Sequence, residues 1–395
     1  MNVLVAHNFY QQPGGEDAVF ADETKLLEEH GHSVSRFVMD NDAVGAMSKW
    51  AAARATLWNP ASGRALRKAI RDADAQVVHF HNTFPLISPA AYYAAHEEGA
   101  AVVQTLHNYR LMCVTATFCR DGRVCEDCLG RTLAWPGILH GCYRGNRAAS
   151  AVVAAMQTFH RLKGTWRREV DLYIALSEFG RKKFIEGGLP PEKIVVKPNY
   201  VSPDPGEGAG QGDFALFVGR LTPEKGITPL LKAWPEVFAE TGVKLKIMGS
   251  GPMKPEVEEA AGRASGMEYL GQVESRQEVY ETIGAARALI FPSVWYEGQP
   301  RIIIESLAKG TPVLASRLGS MAEMVADGKT GLLFEAGNAG DLVRQARTLL
   351  SNKTALQEMR KAAHQEFELH YTSDQNYPLV IHCYEQALRM AGAVK

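Results

Sequence analysis

Two consecutive doubly wound α/β domains are predicted by three features of this sequence. Short β-branched runs alternate with longer amphipathic stretches, a glycine- and proline-rich segment interrupts that rhythm once, and the rhythm then restarts. The short runs are apolar throughout, as parallel strands covered on both faces require. In the first half, strands are expected at Val3–Ala6, Ser33–Val38, Val77–Phe80, Ala101–Leu106, Leu172–Ala175 and Ile194–Lys197. Helices such as Asp17–His30 and Pro60–Ile70 lie between them. Residues 202–213 carry four glycines, two prolines and no bulky apolar group, the composition of a linker. Strands then follow at Ala215–Val218, Leu245–Met248, Met267–Leu270, Ala288–Phe291, Val313–Ala315 and Gly331–Phe334. The helices of this half are expected at Thr228–Glu240, Pro255–Ala264, Arg276–Ala286, Arg301–Lys309 and Ala339–Ser351. The expected division is a first domain over 1–201, the linker, a second domain over 214–375 and a final helical segment over 376–395. Facing units of this kind would leave a cleft at the linker, with ligands at the C-terminal strand ends.

Composition narrows the function. The chain has 395 residues, 46% hydrophobic and 22% charged, and is long enough to bury more than one core. A net charge of -1 argues against a nucleic-acid partner, whose binding surfaces are strongly basic. No apolar run approaches the roughly 18–20 residues of a membrane span. The most apolar stretch, Ala148–Met156, is bounded by Arg147 and His160. The first residues, Met1 to His7, lack a basic leader pattern, so a cytoplasmic location is expected.

Several motifs carry chemistry. Phe217-Val218-Gly219-Arg220-Leu221-Thr222-Pro223-Glu224-Lys225-Gly226 runs from a strand into a helix start. Two cations beside a positive helix end suit a diphosphate, although taken alone a solvated Arg and Lys on a loop is the commoner explanation. Gly249-Ser250-Gly251-Pro252 forms a second tight turn after a strand. In Glu297-Gly298-Gln299-Pro300-Arg301-Ile302-Ile303-Ile304-Glu305, Pro300 suits a helix's first turn. Glu297 can then accept sugar hydroxyls, and the amides of Gly298–Arg301 can bind phosphate or carbohydrate oxygens. Glu305, beside an isoleucine run, needs a partner such as a ribose diol if it is buried. A Walker A loop and an intact dinucleotide fingerprint are absent from the sequence.

These motifs, together with Gly328-Lys329-Thr330-Gly331-Leu332-Leu333, occur in an order and at intervals that resemble the retaining nucleotide-sugar glycosyltransferases of family 4, with the two-domain GT-B fold. The resemblance implies that Glu305 binds the nucleotide ribose. Arg220 and Lys225 would hold the diphosphate, with Gly219 and Gly249 nearby. Glu297 would hold the donor sugar's hydroxyls with the Gly298–Arg301 backbone. Gln299-Pro300 departs from the aromatic residue and glycine common in the family, which bears on donor identity. In the first domain, Gln12-Pro13-Gly14-Gly15-Glu16-Asp17 resembles the family's glycine loop near the donor phosphates, and His107 matches its active-site histidine. His7, His79 and His81 also end strands, where structural histidines are common. The final segment would cross back to the first domain.

The implied reaction is front-face transfer of a hexose-type sugar, with retention, from a UDP- or GDP-sugar to a glycan or lipid-linked hydroxyl. It would need no catalytic metal and would serve cell-surface polysaccharide or glycolipid assembly. Asp40-Asn41-Asp42 matches a metal-binding triplet of another glycosyltransferase fold, but a turn explains it better. A GT-B nucleotide-sugar epimerase and a catalytically silent partner subunit are the alternatives.

Two features stand apart. Five of the six cysteines lie in an insertion over 113–142. Cys113, Cys125, Cys128 and Cys142 form the best set for a structural Zn²⁺, with Cys119 as the alternative ligand, set against plain reduced thiols. Residues 144–168 gather Arg144, Arg147, Arg161, Lys163, Arg167 and Arg168 with Phe159 and Trp166. That pattern suits either peripheral contact with an anionic inner membrane face or a solvated helix.

Overall fold

The computed structural model describes residues 1–11, 14–263 and 266–393. They form two compact units. The first comprises Met1–Phe118, Cys125–Asn199 and the chain from Asp374 onward, and the second comprises Cys119–Val124 and Tyr200–Ser373.

The first unit is built on β1 (Asn2–Phe9), β2 (Ser33–Asp40), β3 (Val77–Asn82) and β4 (Ala101–Leu106). A two-stranded antiparallel hairpin that groups with the second unit, β5 (Cys119–Arg120) and β6 (Arg123–Val124), comes next in the chain, and β7 (Leu172–Ala175) and β8 (Ile194–Val196) complete the first. The sheet order is β2-β1-β3-β4-β7-β8, and its pairings are parallel. β3 and β4 are buried along their whole length, so the polar residues among their apolar ones find partners inside, His79 with Thr105 at 2.8 Å and Gln104 with the Tyr92 hydroxyl at 2.7 Å. Helices form where caps permit. Asn59 caps Pro60–Ala73 by accepting the Ala61 and Ser62 amides, and Pro60 occupies the first turn, where its missing N–H costs nothing.

The second unit repeats the plan with β9 (Phe214–Val218), β10 (Lys244–Met248), β11 (Met267–Gly271), β12 (Leu289–Phe291), β13 (Val313–Ser316) and β14 (Gly331–Phe334). Its order is β11-β10-β9-β12-β13-β14, again parallel. Alternate residues feed opposite cores. Ala215 and Phe217 of β9 join Trp234 and Val237 of helix Ile227–Thr241 on one face. Phe214 and Leu216 join Ile303, Ile304 and Leu307 of helix Arg301–Ala308 on the other.

Two details differ from the sequence reading. Residues 202–213, expected to be a linker, are fastened to the second unit by backbone bonds. The amides of Gly208, Gly210 and Gly212 donate to the carbonyls of Lys309, Gly284 and Ala285 at 3.0, 2.9 and 2.9 Å. The Arg360 guanidinium binds the carbonyls of Gly208 and Ala286 at 2.8 and 3.1 Å. Because glycine amides make these bonds, no side chain announces them. The second difference concerns Pro300, which stands at the N-cap of helix Arg301–Ala308 and not inside its first turn.

The last helix, Ser373–Ala393, places Val380, Cys383, Tyr384 and Ala387 in the core of the first unit beside Val3, Val77 and Ile174. Their spacing of three, four and seven is one helical stripe. Burying a large apolar side chain contributes about 1.5–3 kcal/mol, so the stripe ties the chain's last described segment firmly to this sheet. Among the described residues, no helix is long and apolar enough to cross a membrane. The outer side of helix Arg147–Lys163 exposes Phe159 and Leu162, with Lys163, Arg167 and Arg168 also exposed nearby. Tyr384→Ala is expected to lower the unfolding free energy by about 3–5 kcal/mol. Urea denaturation measures this, and a loss below about 1 kcal/mol would contradict the packing role of the helix.

Candidate active site

In the second sheet, β9 and β12 are neighbours whose onward connections run in opposite directions, to β10 and to β13. Such a switch point is where open α/β sheets accept ligands, outside the carboxyl ends of the strands. β9 delivers Gly219 and the exposed Arg220 there, followed by a 3₁₀ turn, Pro223–Lys225, that leads into helix Ile227–Thr241. β12 delivers the loop that carries Glu297. The two loops are stitched together by the Val294 amide donating to the Glu224 carbonyl at 2.9 Å.

Glu297 is 6% exposed and takes three donors on one carboxylate oxygen. The Lys225 ammonium reaches Oε1 at 2.6 Å, the Ser293 hydroxyl at 2.6 Å and the Trp295 indole N–H at 2.8 Å. Ser320 fixes the backbone by donating to the Glu297 carbonyl at 2.9 Å. A nearly buried carboxylate is tolerable only with such charge-assisted bonds. Lys225 also lies 5.5 and 5.4 Å from the ring centres of Phe291 and Trp295, which confine its ammonium. Next to this arrangement, Gly249 has φ +140°, and a Cβ there would stand 1.9 Å from the Gly219 carbonyl oxygen. Only glycine lets the turn after β10 lie against the turn after β9.

Gly298, Gln299 and Pro300 lead from Glu297 into helix Arg301–Ala308, and the side chains of Gln299 and Arg301 are buried. Glu305 is half-buried inside that helix. The sequence suggested a ribose as its partner, and the structure supplies Arg276, whose Nη2 lies 3.3 Å from Oε1. Arg276 also donates to the Tyr280 hydroxyl at 2.7 Å, which sets the direction of the guanidinium. Since Arg276 is itself 45% exposed, the pair contributes little stability.

The first unit has its own switch point, between β1 and β3, whose connections also diverge. Of the glycine loop, Gln12 and Pro13 lie outside the described residues. Gly14 is the N-cap of helix Gly15–Glu29, with extended backbone at φ −131° and ψ 176°. Its amide donates to Asp17 Oδ2 at 2.7 Å, and Asp17 Oδ1 lies 2.7 Å from His7 Nε2 on β1. Among the described residues, no atom stands within 4 Å of a Cβ built on Gly14 or Gly15.

His107 follows β4 and stacks on His81, with Nε2 3.0 Å from His81 Nδ1. Behind them lies a sealed cluster. Glu23 Oε1 is 2.9 Å from His79 Nδ1 and 3.6 Å from His81 Nε2, while Lys197 Nζ donates to Glu23 Oε2 at 2.8 Å. Burial opposes ionisation of Glu23, but the Lys197 ammonium and then His79 outweigh it and hold the carboxyl well below its usual range. Burial first, then His79, pushes His81 down to about 3. Burial and then His81 hold His107 well below the ordinary histidine value. Both rings are therefore neutral, and one donates to the other. Ligand atoms of Glu23, His79 and His81 lie within 4.8 Å of one another, as a metal would require. The Lys197 ammonium already serves Glu23 as its cation, so the group reads as a salt-bridged core.

The structure thus gathers Gly219, Lys225, Gly249 and Glu297 in the second unit and places Glu305 with Arg276 one helix further on. Gly14, Gly15 and His107 belong to the first unit. Asp40 of the acidic triplet accepts the Asp42 amide at 2.7 Å, a local turn. Sequence reasoning missed Ser293, Trp295, Arg276 and the Glu23–Lys197 pair. Ser293 and Trp295 lie within four residues of Glu297, so the loop itself held that signal. Glu23 and Lys197 are 174 positions apart and carried none.

Two parallel, doubly wound units in one chain, each with polar loops at its switch point, define the GT-B class of proteins. A crystal structure of Anabaena HepE in complex with UDP is similar in fold, with a TM-score of 0.68 at 16% identity over 97% of this chain and 99% of that one. The chain belongs to glycosyltransferase family 4. A family model described as Glycosyltransferase Family 4 matches residues 13–205, and one described as Glycosyl transferases group 1 matches residues 213–352. An uncharacterized glycosyltransferase of Methanocaldococcus jannaschii is 31% identical over 193 residues, 48% of this chain and 52% of the relative. The chain therefore spans about half the length of that relative. The phosphatidyl-myo-inositol mannosyltransferase of Mycolicibacterium smegmatis is 26% identical over 356 residues, 85% of this chain and 81% of the relative.

The buried histidines predict a pH response. Burial keeps His81, His107 and His160 neutral in the fold, the last pushed down to about 4. In the unfolded chain they would take up protons below about pH 6.5. The unfolded state then binds more protons, so stability falls as pH drops from about 6.5 towards 4. Each histidine adds a slope of at most about 1.4 kcal/mol per pH unit. His96, raised by Asp171 and Glu169 against the opposing effect of burial, acts above that window. Thermal unfolding between pH 7 and 4 checks this, and a flat profile would contradict the neutral histidine cluster.

Proposed function

We propose that the chain transfers a hexose-type sugar from a nucleotide-diphosphate donor, a UDP- or GDP-sugar, to a hydroxyl of a glycan or lipid-linked acceptor. The configuration at the anomeric carbon is retained, no metal takes part in the chemistry, and the product feeds cell-surface polysaccharide or glycolipid assembly. The observation that supports this reading best is Glu297, held at the switch point by Lys225, Ser293 and Trp295 on one oxygen. These three donors leave Oε2 to meet a sugar hydroxyl. Arg220 and Lys225 lie on the adjoining loop, where a diphosphate can share the ammonium with Glu297.

In this reading the bond from the anomeric carbon to the diphosphate breaks and its electron pair leaves with the phosphate. Arg220 and Lys225 stabilise that developing charge in place, which is the large electrostatic contribution. The acceptor oxygen forms the new bond on the same face, and its proton passes to the departing phosphate oxygen. Neutral His107 offers a hydrogen bond to the transferred sugar without adding a positive charge next to a cationic anomeric carbon. Glu305 accepts the ribose hydroxyls, and Arg276 holds it in position. The glycine loop at Gly14 and Gly15 admits the donor phosphates.

Incubation with a panel of UDP-, GDP- and ADP-sugars and a hydroxyl acceptor tests the assignment. Transfer with retained configuration by NMR, surviving EDTA, is expected. Conversion of the donor sugar without an acceptor, or activity lost in EDTA and restored by Mn²⁺, would overturn it. Glu297→Gln keeps the shape and an acceptor for Ser293 and Trp295, and should lower turnover by about 10²–10³-fold while leaving the fold intact. Glu305→Ala should weaken UDP binding by roughly 10–100-fold, and unchanged affinity would remove its ribose role.

A further inference from the structure

Among the described residues, no three of the sulfurs of Cys113, Cys119, Cys125, Cys128 and Cys142 stand within 4.8 Å of one another, so the zinc site expected from the sequence is not formed. The basic stretch that the sequence also set apart does build a site. Helix Arg147–Lys163 ends at Gly164, whose φ of +75° turns the chain into the short helix Thr165–Arg168. Helix Glu178–Glu186 runs on into Gly187, Gly188 and Leu189 beside that turn. Arg161 joins the two segments by donating to the Gly187 carbonyl at 3.0 Å. A Cβ on Gly187 would stand 1.7 Å from the Met112 sulfur, so a glycine there lets Met112 reach the same place. Between these segments opens a cleft of about 320 Å³, the size of a small-ligand site.

The lining of this cleft is cationic. Arg161 and Arg167 stand on it, and among the described residues no carboxylate lines it. The Arg168 guanidinium is bonded to the Lys163 carbonyl, where it caps the helix end. Arg167 is exposed, and its guanidinium makes no hydrogen bond or ion pair among the described residues. Trp166, 5% exposed, forms part of the wall, and its indole N–H is buried with no acceptor among the described residues. A buried donor without a partner is rare and costly. Burial, and then the charge of Arg167, lower the Arg161 guanidinium from its ordinary value, so the two cations feel each other. Two guanidiniums and one N–H with no anion between them form an incomplete arrangement. A group with several oxygens and more than one negative charge would satisfy all three. Leu162 and Leu189 add apolar surface beside them.

We propose that this cleft binds a phosphate monoester. The dianion sits between Arg161 and Arg167 and accepts from Trp166, while the esterified body lies against Leu162 and Leu189. No covalent bond is made or broken. A carboxylate, with two oxygens and one charge, leaves part of the donor set unserved. The cleft lies wholly in the first unit, whereas Arg220 and Lys225 belong to the second. Leu111 lines both this cleft and the cavity that holds His81 and His107, so an occupied cleft would steady the chain that leaves β4. The same chemistry is offered by a soluble phosphorylated metabolite and by a lipid headgroup that ends in a phosphate. The inference stands independently of the glycosyltransfer reaction, because its readout is binding to the first unit.

Isothermal titration of the full chain with glycerol 3-phosphate is expected to show binding that survives Arg220→Ala. Arg167→Gln should weaken it by about 10-fold or more, and Trp166→Phe, which keeps the ring and loses the N–H, by a smaller factor. Arg167 is exposed, so its variant should keep the fold, and an unchanged thermal unfolding curve checks this. Flotation with vesicles of phosphatidylcholine, alone or mixed with phosphatidic acid, separates the two sources. Capture by phosphatidic acid that Arg167→Gln removes assigns the site to a lipid headgroup. Titration that Arg167→Gln weakens, without capture by vesicles, assigns it to a soluble ester. Absence of binding to both probes, binding lost in Arg220→Ala but kept in Arg167→Gln, or affinity and capture both unchanged in Arg167→Gln would each overturn the proposal.

Discussion

Parallel pairing is the constraint on which the rest of this protein depends. In a parallel sheet every strand ends at the same edge, and each must return over a face, which buries both faces. Strands such as β3, β4 and β13 are buried along their length, so they offer almost no exposed position for polar chemistry. Function is therefore pushed to the loops at the C-terminal edge. Where successive connections diverge, two such loops stand apart and leave room between them. The second unit places Arg220, Lys225 and Glu297 at that point, and the first unit places the Gly14 loop and the residues after β3 at its counterpart.

The two units solve the same electrostatic problem with opposite consequences. Glu297 and Glu23 are both carboxylates with almost no exposure, and each is matched by a lysine, at 2.6 and 2.8 Å. Lys225 retains 14% side-chain exposure, whereas Lys197 has 1%. An ammonium that solvent can reach is able to exchange part of its attraction for an incoming anion. The sealed one cannot, and it is further held by Asn376 of the last helix at 3.1 Å. The Glu23 group thus acts as a joint among β3, the chain after β8 and the last helix. It also supports His81 and, through it, His107.

Much of the fold was legible because hydrophobic periodicity is a local property. The runs Ala101–Leu106, Leu172–Ala175 and Gly331–Phe334 were read with the bounds the structure shows, and helix Ala339–Ser351 likewise. Hairpin β5–β6 escaped notice, since two-residue strands have no period to detect. The role of residues 202–213 was obscured because glycine amides make its bonds and Arg360, far along the chain, completes them. At the site, Arg220, Lys225, Glu297 and Glu305 stood out as charges at strand ends and helix starts. Their immediate partners did not, because a partner's identity depends on which loops the strand order makes neighbours.

The sequence by itself determined the α/β class, the positions of most strands and helices, and which loops carry charge. Each of these follows from residues close together in the chain. Only the tertiary structure decided that Lys225 meets Glu297 across 72 positions, that Arg276 stands beside Glu305, and that Lys197 neutralises Glu23 across 174. The physical reason is that a side chain's charge state and partner are properties of the space around it. That space is built by the order of strands in a sheet, which local patterns do not encode.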